Sequence, residues 1–231
     1  RGRRRSKVEG RWETEHGWWR KPRRRCEDER GATRKVAWLE LFYALVCVVA
    51  IARVAHQFAG RLDWHGAGEF VMLLVPVWWI WIGGTIYNER FESRGVENRV
   101  FFFLQMLGVG GIALFAHHGT GENAVGFALS YIFARGLITF LFLRGGYHNP
   151  VFRPVSNRYA TGFILSLILW TISIWVPAPG KFFLWYGGMA LELAAPWTTL
   201  KQQANLPRFS TSKMPERYGL FTIIVLGEGI V

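Results

Sequence analysis

Three ionisable residues sit deep inside apolar runs of this chain. Arg135 lies midway along 124–143, Glu192 midway along 182–200, and Glu228 eleven residues past Arg217. A charge at the centre of a bilayer costs at least about 2.5–3.5 kcal/mol on insertion scales, so each needs a purpose. At helical rise, Glu228 is carried about 16 Å inward, which puts three groups on three helices at similar depth. One arrangement pairs Arg135 with one carboxylate and leaves the other to bind a proton or cation. The alternative is an ion pair plus a neutral glutamic acid that only hold a bundle together. Glu192 is the strongest single candidate. Pro196, four residues later, removes the amide that the Glu192 carbonyl would accept from, leaving a backbone acceptor beside a titratable side chain.

A second group lies on the first apolar run, 36–58. Glu40 is about one turn from its start and can snorkel to the interface. Arg53 and His56 are three residues apart, hence on one helix face, where they line an outer vestibule or reach the headgroups. Arg144, Arg153 and Arg158 are placed to hold lipid phosphates. The connection 89–99 alternates in sign and reads as a solvated loop with local salt bridges. No HExxH, CxxC, GxSxG, P-loop or dinucleotide fingerprint occurs, so no catalytic residue, metal or cofactor is expected. Cys26 and Cys47 are too differently placed to pair.

The elements that must position these residues are six apolar runs, 36–58, 70–88, 100–118, 124–143, 159–176 and 182–200. Each is about 18–23 residues, long enough to cross a bilayer. A seventh, 217–231, covers roughly 22 Å against a hydrocarbon core of about 30 Å. The chain does not begin with Met, and the sequence is expected to be a fragment. The fold class predicted is all-α: a polytopic transmembrane bundle of six complete spans and a truncated seventh, occupying 36–231 and incomplete at its C-terminus.

Charge sorting orients this bundle. Of 28 Lys and Arg, 14 fall within 1–35, three within 89–99, three within 144–158 and four within 201–217. The opposite connections, 59–69, 119–123 and 177–181, hold only Arg61 and Lys181. The positive-inside rule then places the N-terminus in the cytoplasm of a multi-pass cell-membrane protein. The tail 1–35 is basic, poor in aliphatics and expected to be disordered. Followed directly by a span, it reads as an anchor to anionic lipid at the cytoplasmic face rather than a nucleic-acid arm. The expected partners are the bilayer, anionic lipid and an ion or small solute, with a homo-oligomer open and no nucleic acid expected.

Trp38, Trp64, Tyr87, Tyr147, Tyr159, Trp175, Trp185 and Trp197 fall near run ends and suit interfacial belts. Trp78, Trp79 and Trp81 lie deeper, between helices. Gly126, Ser130 and Ala134 recur every four residues, and Gly108, Gly110 and Gly111 cluster on the third run, so both helices offer faces for close approach.

Several stretches resemble the bacterial low temperature requirement A (LtrA) membrane proteins. Trp38-Leu-Glu-Leu-Phe-Tyr-Ala-Leu-Val-Cys-Val48, with Ala55-His56 beyond it, is similar to the family's first helix. Glu216-Arg-Tyr-Gly-Leu-Phe-Thr-Ile-Ile-Val-Leu-Gly-Glu228 is similar to its E-R-F-G-L-F motif. Trp78–Trp79, Asn88–Arg90–Phe91, Gln105–Met106 and Tyr131 through Arg135 match between them. Ala44 departs from the family, whose Asp there would share a face with Glu40. The resemblance implies an integral membrane protein of roughly twice this membrane content, associated with growth at low temperature, and supplies no biochemical activity. Glu40 and Glu216 each open an aromatic-rich helix, which hints at an internal repeat.

Three functions fit these residues. The first is transport of an ion, proton or small solute through the centre marked by Arg135, Glu192 and Glu228. The second is a lipid-modifying enzyme or accessory protein using the basic loops. The third is a scaffold whose charges only fix packing.

Overall fold

The computed structural model describes residues 23–24, 38–60, 63–92, 96–200 and 214–228. Among them are seven helices: α1 (Trp38–Ala59), α2 (Trp64–Arg90), α3 (Val96–Phe115), α4 (Ala124–His148), α5 (Arg153–Ile172), α6 (Gly180–Thr198) and α7 (Met214–Glu228). Two-residue strands β1 (Arg23–Arg24) and β2 (Phe91–Glu92) pair antiparallel, with Arg23 opposite Glu92. The fold is otherwise all-α. The disorder expected of 1–35 falls, apart from 23–24, outside the described residues.

Four helices, α1 to α4, are long and apolar enough to cross a membrane. The runs expected at 159–176 and 182–200 do form helices, of 20 and 19 residues. Their composition is more polar: α5 opens on Arg153, Ser156, Asn157 and Arg158, and α6 includes Lys181 and Glu192. The outer faces of α3 and α4 are apolar, with Leu107, Leu114, Leu129 and Phe133 all exposed. That inverts the soluble pattern and suits lipid as the solvent.

Local chemistry explains where helices begin. The Asp63 side chain accepts from the Gly66 amide at 2.6 Å, satisfying one orphan donor at the start of α2. Pro154 occupies the first turn of α5, where a missing amide costs nothing. Pro76 and Pro196 lie inside α2 and α6.

The central element is α4, which packs on α2, α3 and α5, while α5 also packs on α6. Helix α1 lies against α2, α3 and α7. Gly108 and Gly111 meet the small residues of α4 across the α3–α4 seam, while Gly110 faces open space. A Cβ on Gly108 would lie 2.8 Å from the Ala134 Cβ, and one on Gly111 would lie 2.6 Å from Ser130 Oγ. Such contact distances are too short for any larger residue, so the seam closes on backbone.

The aromatic belt is only partly where the sequence put it. Trp38, Trp64, Tyr147, Trp175 and Trp197 are exposed, whereas Tyr87, Tyr159 and Trp185 are buried in the bundle. Trp185 stacks on Trp170 with ring centroids 4.6 Å apart, and its indole donates to Ser173 Oγ at 2.8 Å. A satisfied N–H lets the ring join the core instead of the interface. Trp81 is buried against α7, stacked on Phe221 at 3.9 Å, while Trp78 is exposed.

Candidate functional site

Arg135 and Glu192 meet in the middle of the bundle. Arg135 Nε lies 2.7 Å from Glu192 Oε2, with the two side chains 1% and 0% exposed. Arg135 stands about halfway along α4, eleven residues past its start, and Glu192 about two-thirds of the way along α6, twelve past its start. The contact is a close charge pair whose N–H is not aligned on the carboxylate oxygen. Other groups hold the carboxylate: Tyr131, one turn before Arg135 on α4, donates its hydroxyl to Glu192 Oε1 at 2.9 Å. That spacing brings Tyr131 and Arg135 onto one face.

The guanidinium is clamped from two further helices. Its carbon sits 3.9 Å above the Phe163 ring of α5, a cation–π contact that strengthens with desolvation. From α2, a Cβ on Gly83 would lie 2.7 Å from Arg135 Nη1. Glycine at 83 is therefore what admits the charge. Nη1 itself is buried without a hydrogen-bond acceptor, as is Trp170 Nε1 on α5, beside Ser166, whose hydroxyl faces the Glu192 carboxylate. Gly188, one turn before Glu192, leaves room for both: a Cβ there would lie 2.9 Å from Trp170 Nε1 and 3.0 Å from Ser166 Oγ. So many buried polar groups with incomplete pairing are costly, and a site that must change partners is one reason to keep them.

Glu228 closes α7, and its side chain lies outside the described residues. Helix α7 packs on α1 and on Trp81 of α2 through Tyr218 and Phe221. Arg53 and His56 are exposed on α1, unlike the buried pair.

A second charged cluster sits at the end where α2 stops and α1, α3 and α7 start. Arg217 Nη2 lies 2.7 Å from Glu40 Oε2, and its Nη1 lies 3.5 Å from Glu89 Oε2. Glu40 therefore does not simply snorkel; it ties α1 to α7. Close by, Arg144 pairs with Glu97 at 3.3 Å, both buried. This corrects two expectations. Arg144 points inward and is taken by a carboxylate, so it is not a headgroup ligand, whereas Arg153 and Arg158 are exposed. Nor is 89–99 simply a solvated loop, because Glu89 and Glu97 are buried. Arg158 donates to the Thr198 carbonyl at 2.9 Å, joining the start of α5 to the end of α6.

Sequence reading missed Arg217, Glu89, Tyr131 and Phe163 as partners of these charges. One signal was present: Glu40, Glu89 and Arg217 lie in or beside three separate stretches that carried the family resemblance. So do Tyr131 and Arg135, and Gln105, which donates to the Ala134 carbonyl at 2.9 Å. The resembling stretches thus converge on the two charged clusters and the seam between them.

The chain matches the family model described as Bacterial low temperature requirement A protein (LtrA) over residues 35–231. It is 24% identical over 220 residues to a protein of Rhizobium meliloti (strain 1021) called Uncharacterized protein RA0937. That alignment covers 85% of this chain and 50% of the relative, so the chain spans about half of that protein's length. No solved structure matches.

Proposed function

The chain belongs to the bacterial low temperature requirement A family, and on that premise we propose that this membrane protein transports an ion, proton or small solute. The observation that carries the reading is the Arg135–Glu192 contact, fully buried and well inside two helices. A charge pair in that position is costly to desolvate and only partly repaid by attraction. Its incomplete hydrogen bonding suits a pair that opens and closes as Glu192 takes up and releases a proton or a cation. Tyr131 keeps the carboxylate oriented in either condition.

The bundle in this reading has six spans, α1 to α6, with α7 entering a seventh. The sorted Lys and Arg favour a cytoplasmic N-terminus in the cell membrane, with anionic lipid against the basic segments. The lipid-modifying alternative loses ground because Arg144 is taken by Glu97 and Arg158 donates to the Thr198 carbonyl.

Purified protein in liposomes tests the proposal. Glu192→Gln keeps the side-chain volume and an oxygen for Tyr131, and should abolish proton- or ion-dependent flux without unfolding the protein. Flux equal to wild type in that variant, or no flux in the wild type under any imposed ion gradient, would overturn it.

A further inference from the structure

A small cleft opens between α1, α2, α3 and α4, with room for about one water-sized particle. Tyr87, Asn88 and Asn98 line it at the charged end of the bundle, and Tyr43, Phe102 and Gln105 line it further in. Its inner wall is close to Arg135 by sequence: Gly84 follows Gly83, and Gln105 bonds the carbonyl of Ala134.

Gln105 gives the cleft its chemistry. Its amide nitrogen donates to the Ala134 carbonyl at 2.9 Å, and only the NH₂ end can face an acceptor. The orientation is therefore fixed, and Oε1 remains, 96% buried by residue and without a donor from the protein. An orphaned buried carbonyl asks for a donor or a cation. The cleft that Gln105 lines is mostly apolar, with aromatic rings, Tyr43 and Phe102 edge to face at 6.0 Å, and the neutral side chains of Tyr43, Tyr87, Asn88 and Asn98 as its other oxygen bearers. Divalent cations want carboxylates, and none lines the cleft. Carbonyl and hydroxyl oxygens with ring faces instead suit a cation of single charge held weakly enough to leave again. Buried Glu89 and Glu97, the chain neighbours of Asn88 and Asn98, are each in contact with an arginine, so the mouth carries no unbalanced positive charge from Arg217 or Arg144.

The geometry points to a binding site for a small monovalent cation, of the size of ammonium or potassium, with Gln105 as its principal ligand. The assignment deepens the transport reading, on which it rests for making the cleft a way in towards Arg135 and Glu192. Binding itself is measured separately from flux.

The test is thermal unfolding of the detergent-purified protein in ammonium, potassium or sodium chloride. N-methylglucamine chloride at equal ionic strength is the reference, since that cation is too large for the cleft. At about tenfold excess over Kd, one of the three should raise Tm saturably by about 3–5 °C. Gln105→Leu should remove the shift. If that variant does not fold, Gly84→Ala serves instead, because its Cβ would lie 3.1 Å from Tyr43 Oη and fill the cleft. Equal Tm in all four salts, or a shift that survives both substitutions, overturns the site and leaves only a bound water. Cation-specific binding with flux indifferent to Glu192→Gln would sink the transport reading and keep the site. Flux that depends on Glu192 without cation-specific stabilisation would do the reverse.

Discussion

Neutralising either member of the Arg135–Glu192 pair alone should destabilise the protein far more than neutralising both. The two side chains are 1% and 0% exposed and approach to 2.7 Å. Taking charge centres about 4 Å apart and an effective dielectric near 20, their attraction is about 4 kcal/mol. Removing one partner strands the other charge, a cost of about 3–5 kcal/mol for a buried pair. Replacing both with apolar groups of similar volume removes the attraction and the desolvation cost together, and is often close to neutral. Arg135→Met and Glu192→Leu should therefore each lower Tm by about 10 °C, taking about 2–4 °C per kcal/mol for a protein of this size. The double variant should recover most of that loss. Thermal unfolding in detergent, read by tryptophan fluorescence for all four proteins, completes the cycle. A coupling energy below about 0.5 kcal/mol, meaning that the two losses simply add, would refute the claim that the charges act as one unit.

Other consequences follow from the same geometry. Tyr131→Phe removes a hydrogen bond to a charged group and should cost about 1.5–3 kcal/mol, with little further loss when Glu192→Leu is already present. Gly83→Ala places a Cβ 2.7 Å from Arg135 Nη1 and should lower both Tm and flux, whereas Gly110→Ala, inside α3 with nothing within 4 Å, should leave flux unchanged and Tm equal or slightly raised. Gly111→Leu overfills the α3–α4 seam at Ser130 and should destabilise by about 1–3 kcal/mol in an unfolding titration. Arg217→Gln should loosen α7 from α1 and α2. Proteolysis in detergent would then cut the protein faster before α7, and an unchanged cleavage rate would argue against that bridge.

The sequence carried what depends on local periodicity and missed what depends on how helices are rotated against one another. Apolar length placed α1 to α4 closely, because each run must bury backbone polar groups within itself. It placed α5 and α6 as helices, but Arg158 at the start of one and Glu192 within the other dilute the membrane signal that length alone suggested. The small residues of α3 and α4 were legible as packing faces and, Gly110 apart, they pack across that seam. Arg135 and Glu192 were legible by depth, because counting residues from a span boundary fixes height whatever the rotation. Rotation decided the rest. It turned Arg144 inward onto Glu97 and drew Trp185 into the core against Trp170. The Glu40–Arg217 bridge joins residues 177 positions apart, and no spacing rule within one helix reaches that far.

The central claim is that the Arg135–Glu192 pair works in transport rather than merely holding the bundle together. The measurement that separates these is flux by the double variant Arg135→Met/Glu192→Leu, reconstituted into liposomes holding a pH-sensitive dye and driven by an imposed ion gradient. A transport role predicts a folded protein, with Tm near wild type, whose flux has fallen to that of empty liposomes. A stable double variant that carries protons or ions as fast as wild type would contradict it, leaving the pair as a packing device.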